Sequence, residues 1–68
     1  MVNILYVDDK YESLELIYAL DEQNVDYELH SAAEARELGY YNLPILVVDG
    51  KKLEYKKAIR KAKRGDIR

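Results

Sequence analysis

Cysteine is absent from this 68-residue chain, as are phenylalanine and tryptophan, and there is one histidine and one proline. Without cysteine, no disulfide or thiolate metal site can staple the fold, and the chain has no thiol for redox chemistry. A single histidine, His30, argues against a catalytic triad and against a zinc site, which needs several Cys, His or carboxylate ligands. No apolar run approaches the roughly 20 residues that span a bilayer. Met1 to Val7 is too short an apolar region for a secretory signal. These absences lead to the expectation of a soluble, cytoplasmic protein that does not meet a membrane. A chain this short is expected to form one domain, residues 1–68, burying only roughly 60% of its unfolded surface. Seven tyrosines are the whole aromatic complement. They are expected to be mostly packing residues with their hydroxyls at the surface.

The net charge of −2 hides a division. Residues 1–50 carry eleven acidic and two basic side chains, whereas residues 51–68 carry nine basic and two acidic ones. Such polarity either steers a charged partner or is spent internally, with the basic end lying over the acidic body.

Leu43-Pro44-Ile45-Leu46-Val47-Val48-Asp49-Gly50 organises the rest. Ile45 to Val48 does not alternate with polar residues, so it predicts a strand buried on both faces. Asp49-Gly50 predicts a two-residue hairpin turn with positive φ angles. Pro44 enters the strand where its missing N–H costs least, and its peptide bond is open to either isomer. Val2 to Val7 reads as a central strand, ended by Asp8-Asp9, either of which can cap a following helix. Lys10 to Asn24 reads as that helix, with an apolar stripe of Tyr11, Leu14, Ile17 and Tyr18, joined by Leu16 and Leu20. Val25 to His30 alternates as a half-exposed strand. Ser31 and Glu34 form a capping box for a short helix that runs to Leu38 and ends at Gly39. Lys51 to Leu53 follows as an edge strand, and Glu54 to Arg64 as a helix buried through Tyr55, Ala58, Ile59 and Ala62. The expected class is α/β, in the order βαβαββα, with a small mixed four-stranded sheet flanked by helices.

With these elements in place the chain resembles small glutaredoxin-like proteins of the thioredoxin superfamily. The likeness rests on Val25 to Leu29, on Glu34-Ala35 through Leu38-Gly39, on Leu43 to Lys51, and on Leu53 and Tyr55 to Ile59. It implies a thioredoxin-like fold in which Pro44 is the cis-proline and the backbone of Leu43 pairs with an extended substrate or with glutathione. It also implies a Cys-x-x-Cys motif where this chain has Lys10-Tyr11-Glu12-Ser13. An ammonium and a hydroxyl cannot exchange disulfides, so thiol–disulfide oxidoreductase activity is excluded. A second likeness, of Ile4 to Asp9 with Asp49, is to the acidic Mg²⁺ pocket of a receiver domain. The chain is too short for the five βα units that such a domain needs.

The expected function is therefore a redox-inactive binding or interaction module for a protein or peptide. Its site is expected in the groove formed by Lys10, Tyr11, Ser13, Leu43 and Pro44. Lys10 and Ser13 are also candidates for holding a small anion at the helix N-terminus. Neither a metal nor a resident cofactor is expected, although the likeness allows glutathione. The alternatives are an enzyme that uses glutathione or another small molecule without its own thiol, and nucleic-acid attachment through Lys56, Lys57, Arg60, Lys61 and Arg64.

Overall fold

The computed structural model describes residues 2–67. Its elements are β1 (Asn3–Tyr6), α1 (Tyr11–Glu22), β2 (Tyr27–His30), α2 (Ala32–Glu37), β3 (Ile45–Val48), β4 (Lys51–Glu54) and α3 (Tyr55–Lys63). The four strands form one mixed sheet in the spatial order β2-β1-β3-β4. β1 pairs in parallel with β2, while β3 is antiparallel to both β1 and β4. No helix among the described residues is long and apolar enough to cross a membrane.

Strand alternation divides the apolar side chains between the two sheet faces. Leu5, Leu46 and Leu53 join Leu16 and Leu20 of α1 and Ala58 and Ala62 of α3 in the larger cluster. Tyr6 and Ile45 turn the other way and pack with Ala35 of α2 and with Leu43. The result is three layers, with α1 and α3 on one face and α2 on the other. The small Ala58 and Ala62, both fully buried, let α3 lie close to its neighbours.

All three helices end in the same way. Asn24, Gly39 and Gly65 take positive φ. After α1, Val25 N–H donates to the Leu20 carbonyl and Asn24 N–H to Asp21, and matching pairs close α2 and α3. This is the Schellman motif, which satisfies carbonyls left over at a helix end. It stops α1 at Glu22, so Asn24 lies outside the helix rather than at its last turn. Ser31 and Glu34 form the capping box of α2. The β3–β4 hairpin turns through Asp49 and Gly50, with φ of 52° and 77°. The Leu43–Pro44 peptide bond is cis.

The apolar stripe of α1 differs from the expected one. Tyr11, Leu14 and Tyr18 are exposed, and the buried residues are Ser13, Leu16 and Leu20. At 3.6 residues per turn the two sets lie about 160° apart, so α1 carries two apolar stripes and the sheet covers only one. The tyrosines divide likewise: Tyr6 is buried, Tyr27, Tyr40 and Tyr55 are half-buried, and Tyr11, Tyr18 and Tyr41 are exposed. β2 is shorter than expected, because Val25 is taken into the core by the turn after α1. Leu29, expected inward, is 56% exposed.

Candidate functional site

The loop between β1 and α1 is built around one carboxylate. Asp8 Oδ1 accepts the Lys10 N–H at 3.0 Å and the Ser13 hydroxyl at 2.7 Å. The Asp8 N–H in turn donates to Ser13 Oγ at 3.2 Å. Lys10 Nζ lies 3.6 Å from Asp8 Oδ2. Burial pushes the Asp8 carboxyl up, but the Ser13 hydroxyl, the Lys10 N–H and the Lys10 charge outweigh it and hold the group below its ordinary value. This is the expected response of a carboxylate that accepts several hydrogen bonds.

Lys10 and Ser13 are therefore occupied by the chain itself. Of the groups named as candidates for a small anion, the Ser13 hydroxyl donates to the Asp8 carboxylate and the Lys10 ammonium pairs with it. Ser13 is only 1% exposed and is neither a solvated surface serine nor open to a ligand. Its hydroxyl is satisfied on both counts, as a buried polar group must be.

Pro44 is fully buried, and Tyr11 projects into solvent. Of the five residues expected to form the groove, Leu43 borders open concave surface on two sides. On one side lies a hollow of about 390 Å³, lined with Glu12, Asn42, Glu54, Tyr55 and Lys56. On the other is a hollow of about 230 Å³, lined by Asp8, Asp9, Arg36, Tyr40 and Tyr41 among others. The Leu43 side chain is anchored in the α2-side cluster. Its backbone N–H and C=O make no hydrogen bond with any described residue. Asn42 adjoins Leu43 in the chain, but nothing in the sequence marks Glu12, Glu54 and Tyr55 as its neighbours, since they come from distant parts of the chain.

Tyr55 donates its hydroxyl to Glu15, tying the start of α3 to α1. That hydrogen bond, with burial second, pushes the Tyr55 hydroxyl up to about 12. Tyr27 donates to Asp21 at 2.8 Å, tying β2 to the same helix. Burial first, then this bond, raises Tyr27 to about 12.

His30 stands apart from Leu43, at the end of β2. Its Nδ1 lies 2.7 Å from Glu34 Oε2 and its Nε2 3.3 Å from Glu28 Oε1. The Tyr6 ring packs against it with centroids 5.3 Å apart. The bond to Glu28 is the largest influence raising the His30 pKa, desolvation opposes it, and Glu34 adds to the rise.

Asp8, Asp9 and Asp49 do not gather. No group of three or more His, Cys, Asp or Glu side chains suited to a metal occurs among the described residues. Nor does the basic end lie in ion pairs over the acidic body: among the cations of 51–67, only Arg64 makes a salt bridge, with Asp66 at 3.2 Å.

Comparison with known proteins finds no matching family model, no matching curated protein and no matching solved structure.

Proposed function

We propose that this chain is a thioredoxin/glutaredoxin-like domain without thiol chemistry, and that it binds an extended segment of a partner polypeptide along Leu43. The sheet order β2-β1-β3-β4, with one parallel and two antiparallel pairings, is compatible with that fold. The observation that carries the reading is the divided state of Leu43. Its side chain is fixed in the core, while its backbone donor and acceptor are unused between two hollows. An extended peptide satisfies such groups by adding as a short strand, and its side chains then fall alternately into flanking hollows.

The charges around Leu43 favour one class of segment. Asp8, Asp9, Glu12 and Glu54 face it, against Arg36 and Lys56. A segment bearing Lys or Arg meets a net negative surface, whereas glutathione brings two carboxylates to it. The site also supports binding over enzymatic use of glutathione. The only histidine lines neither hollow and is held by Glu28 and Glu34, and Tyr55 is held by Glu15.

The test is a two-dimensional amide NMR titration of the ¹⁵N-labelled protein. The ligands are a mixed pool of end-blocked random hexapeptides and, separately, reduced glutathione at the same millimolar concentration. Shifts from the pool centred on Glu12, Asn42, Leu43 and Tyr55, and larger than those from glutathione, are expected. Shifts confined to other surfaces, or none, would overturn the reading. A larger response to glutathione would overturn the peptide assignment.

A further inference from the structure

We infer that the outer face of α3 is a binding surface for the phosphate backbone of nucleic acid, read without regard to sequence. This inference does not rest on the Leu43 reading; Lys56 alone borders both surfaces. At 100° per residue, the buried Ala58 and Ala62 define the inner side of the helix. Lys56, Lys57, Arg60, Lys63 and Arg64 are all exposed and fall within an arc of about 120° on the opposite side. Lys61 flanks the arc and shares a hollow with Lys51 of β4.

Three observations give this face its character. First, Lys56, Lys57, Arg60, Lys61 and Lys63 form no salt bridge with any described residue, and Arg64 is held by its near neighbour Asp66. Carboxylates share hollows with three of these cations: Glu15 and Glu22 with Lys63, Glu12 and Glu54 with Lys56, and Asp49 and Asp66 with Lys61. Second, Lys56, Arg60 and Lys63 follow one another at four- and three-residue steps, spanning about 10 Å of helix axis. That length covers about three phosphate intervals of one strand, at 3.4 Å of duplex axis each. Third, α3 itself carries no apolar anchor on this face. Among the described residues, the exposed large apolar side chains all lie outside α3, and one of them, Tyr18 of α1, shares a hollow with Lys63.

The third observation selects the partner. A protein interface draws most of its energy from buried aromatic or aliphatic anchors at its centre, and α3 offers none. A membrane-surface helix inserts its apolar side, and that side of α3 is already covered by the sheet and α1. Phosphate-backbone binding needs only cations with freedom to release counterions, and the face provides those.

The experiment is fluorescence anisotropy of a labelled, mixed-sequence 20-nucleotide single strand titrated with the full chain in 50 and 200 mM salt. With about five phosphates engaged, the logarithmic salt slope should be about −3.5, so affinity should fall about 100-fold between the two salts. The double variant Lys57→Gln/Arg60→Gln should weaken binding at least tenfold. The charge-matched variant Lys10→Gln/Arg36→Gln, off this face, should change it less than threefold. Absence of binding at 50 mM salt, or equal losses in the two variants, would overturn the inference. Tighter binding to poly-glutamate or to vesicles with a third of their lipid as phosphatidylserine would overturn it in favour of an acidic protein or a membrane. Circular dichroism of each variant separates lost binding from lost folding.

Discussion

Ser13 and Asp8 hold each other from opposite ends of one loop. The hydroxyl donates to the carboxylate at 2.7 Å and the Asp8 N–H returns a hydrogen bond to the same oxygen at 3.2 Å. Ser13→Ala removes both bonds, leaving the part-buried Asp8 N–H without its partner and the carboxylate with Lys10 alone. A loss of about 1–3 kcal/mol is expected, read from urea denaturation. The variant should also alter the acid limb. The folded-state pKa of Asp8 is depressed, so its contribution is present above the unfolded value and is lost as pH falls through the folded one. Ser13 is the largest of the influences lowering it, so the Ser13→Ala protein should lose less stability on acidification. An unchanged acid slope would contradict this assignment.

The two stripes of α1 make a sharp comparison two residues apart. Leu16 is fully buried and Leu14 is 45% exposed. Leu16→Ala should cost about 2–5 kcal/mol, as truncations in a packed core do. Leu14→Ala should stay within about 0.5 kcal/mol, as surface changes do. Chemical denaturation of the pair decides whether the sheet covers the stripe described. Equal losses would mean that it does not.

His30 predicts an alkaline limb. Its folded-state pKa is raised above 6.5 by the Glu28 bond first and by Glu34 as well. The stabilisation is therefore complete below the unfolded value and is lost as pH rises through the folded one. Glu34 acts with the opposite sign. The Ser31 backbone bond, then His30, lower its pKa from 4.5, so its contribution is lost as pH falls. Urea midpoints measured from pH 5.5 to 8.5 should decline, and His30→Gln should flatten that decline. Both ionic partners are exposed, so the effect should shrink in high salt.

The position of Lys10 and Ser13 at the first turn of α1 allows a chemical test of the family likeness. The double variant Lys10→Cys/Ser13→Cys should form an intramolecular disulfide under oxidised glutathione, detected as a two-dalton mass loss. Ser13→Cys alone serves as the folding control. A folded double variant whose thiols stay reduced would show that the two positions do not stand where the Cys-x-x-Cys motif stands.

Much of this architecture was legible because it depends on local chemistry. Ser31 with Glu34, Asp49 with Gly50, and Gly39 and Gly65 each specify a cap or turn by themselves, and the structure uses all of them. The runs Val2 to Val7 and Ile45 to Val48 contain the observed strands β1 and β3. The stripe of α1 was legible at Leu16 and Leu20 but not at Tyr11, Leu14 and Tyr18, because tyrosine and leucine count equally in a periodic pattern, while a serine counts against burial. Only the partner that satisfies Ser13, five residues upstream, makes its burial possible. The site was half legible for the same reason. Leu43 stands out beside the single proline, but Glu12, Glu54 and Tyr55 become its neighbours only when α1, β4 and α3 meet.

The sheet has unequal cover. Among the described residues, nine buried ones form the cluster under α1 and α3, and four form the one under α2. Local opening is cheapest where the least apolar contact is lost. Amides of the six-residue α2 should therefore exchange with deuterium well before those of Leu16 to Leu20. Leu43 belongs to the thinner layer, so a segment bound along it would slow exchange in α2. Deuterium uptake in α2 thus reports occupancy at Leu43 without any label on the ligand.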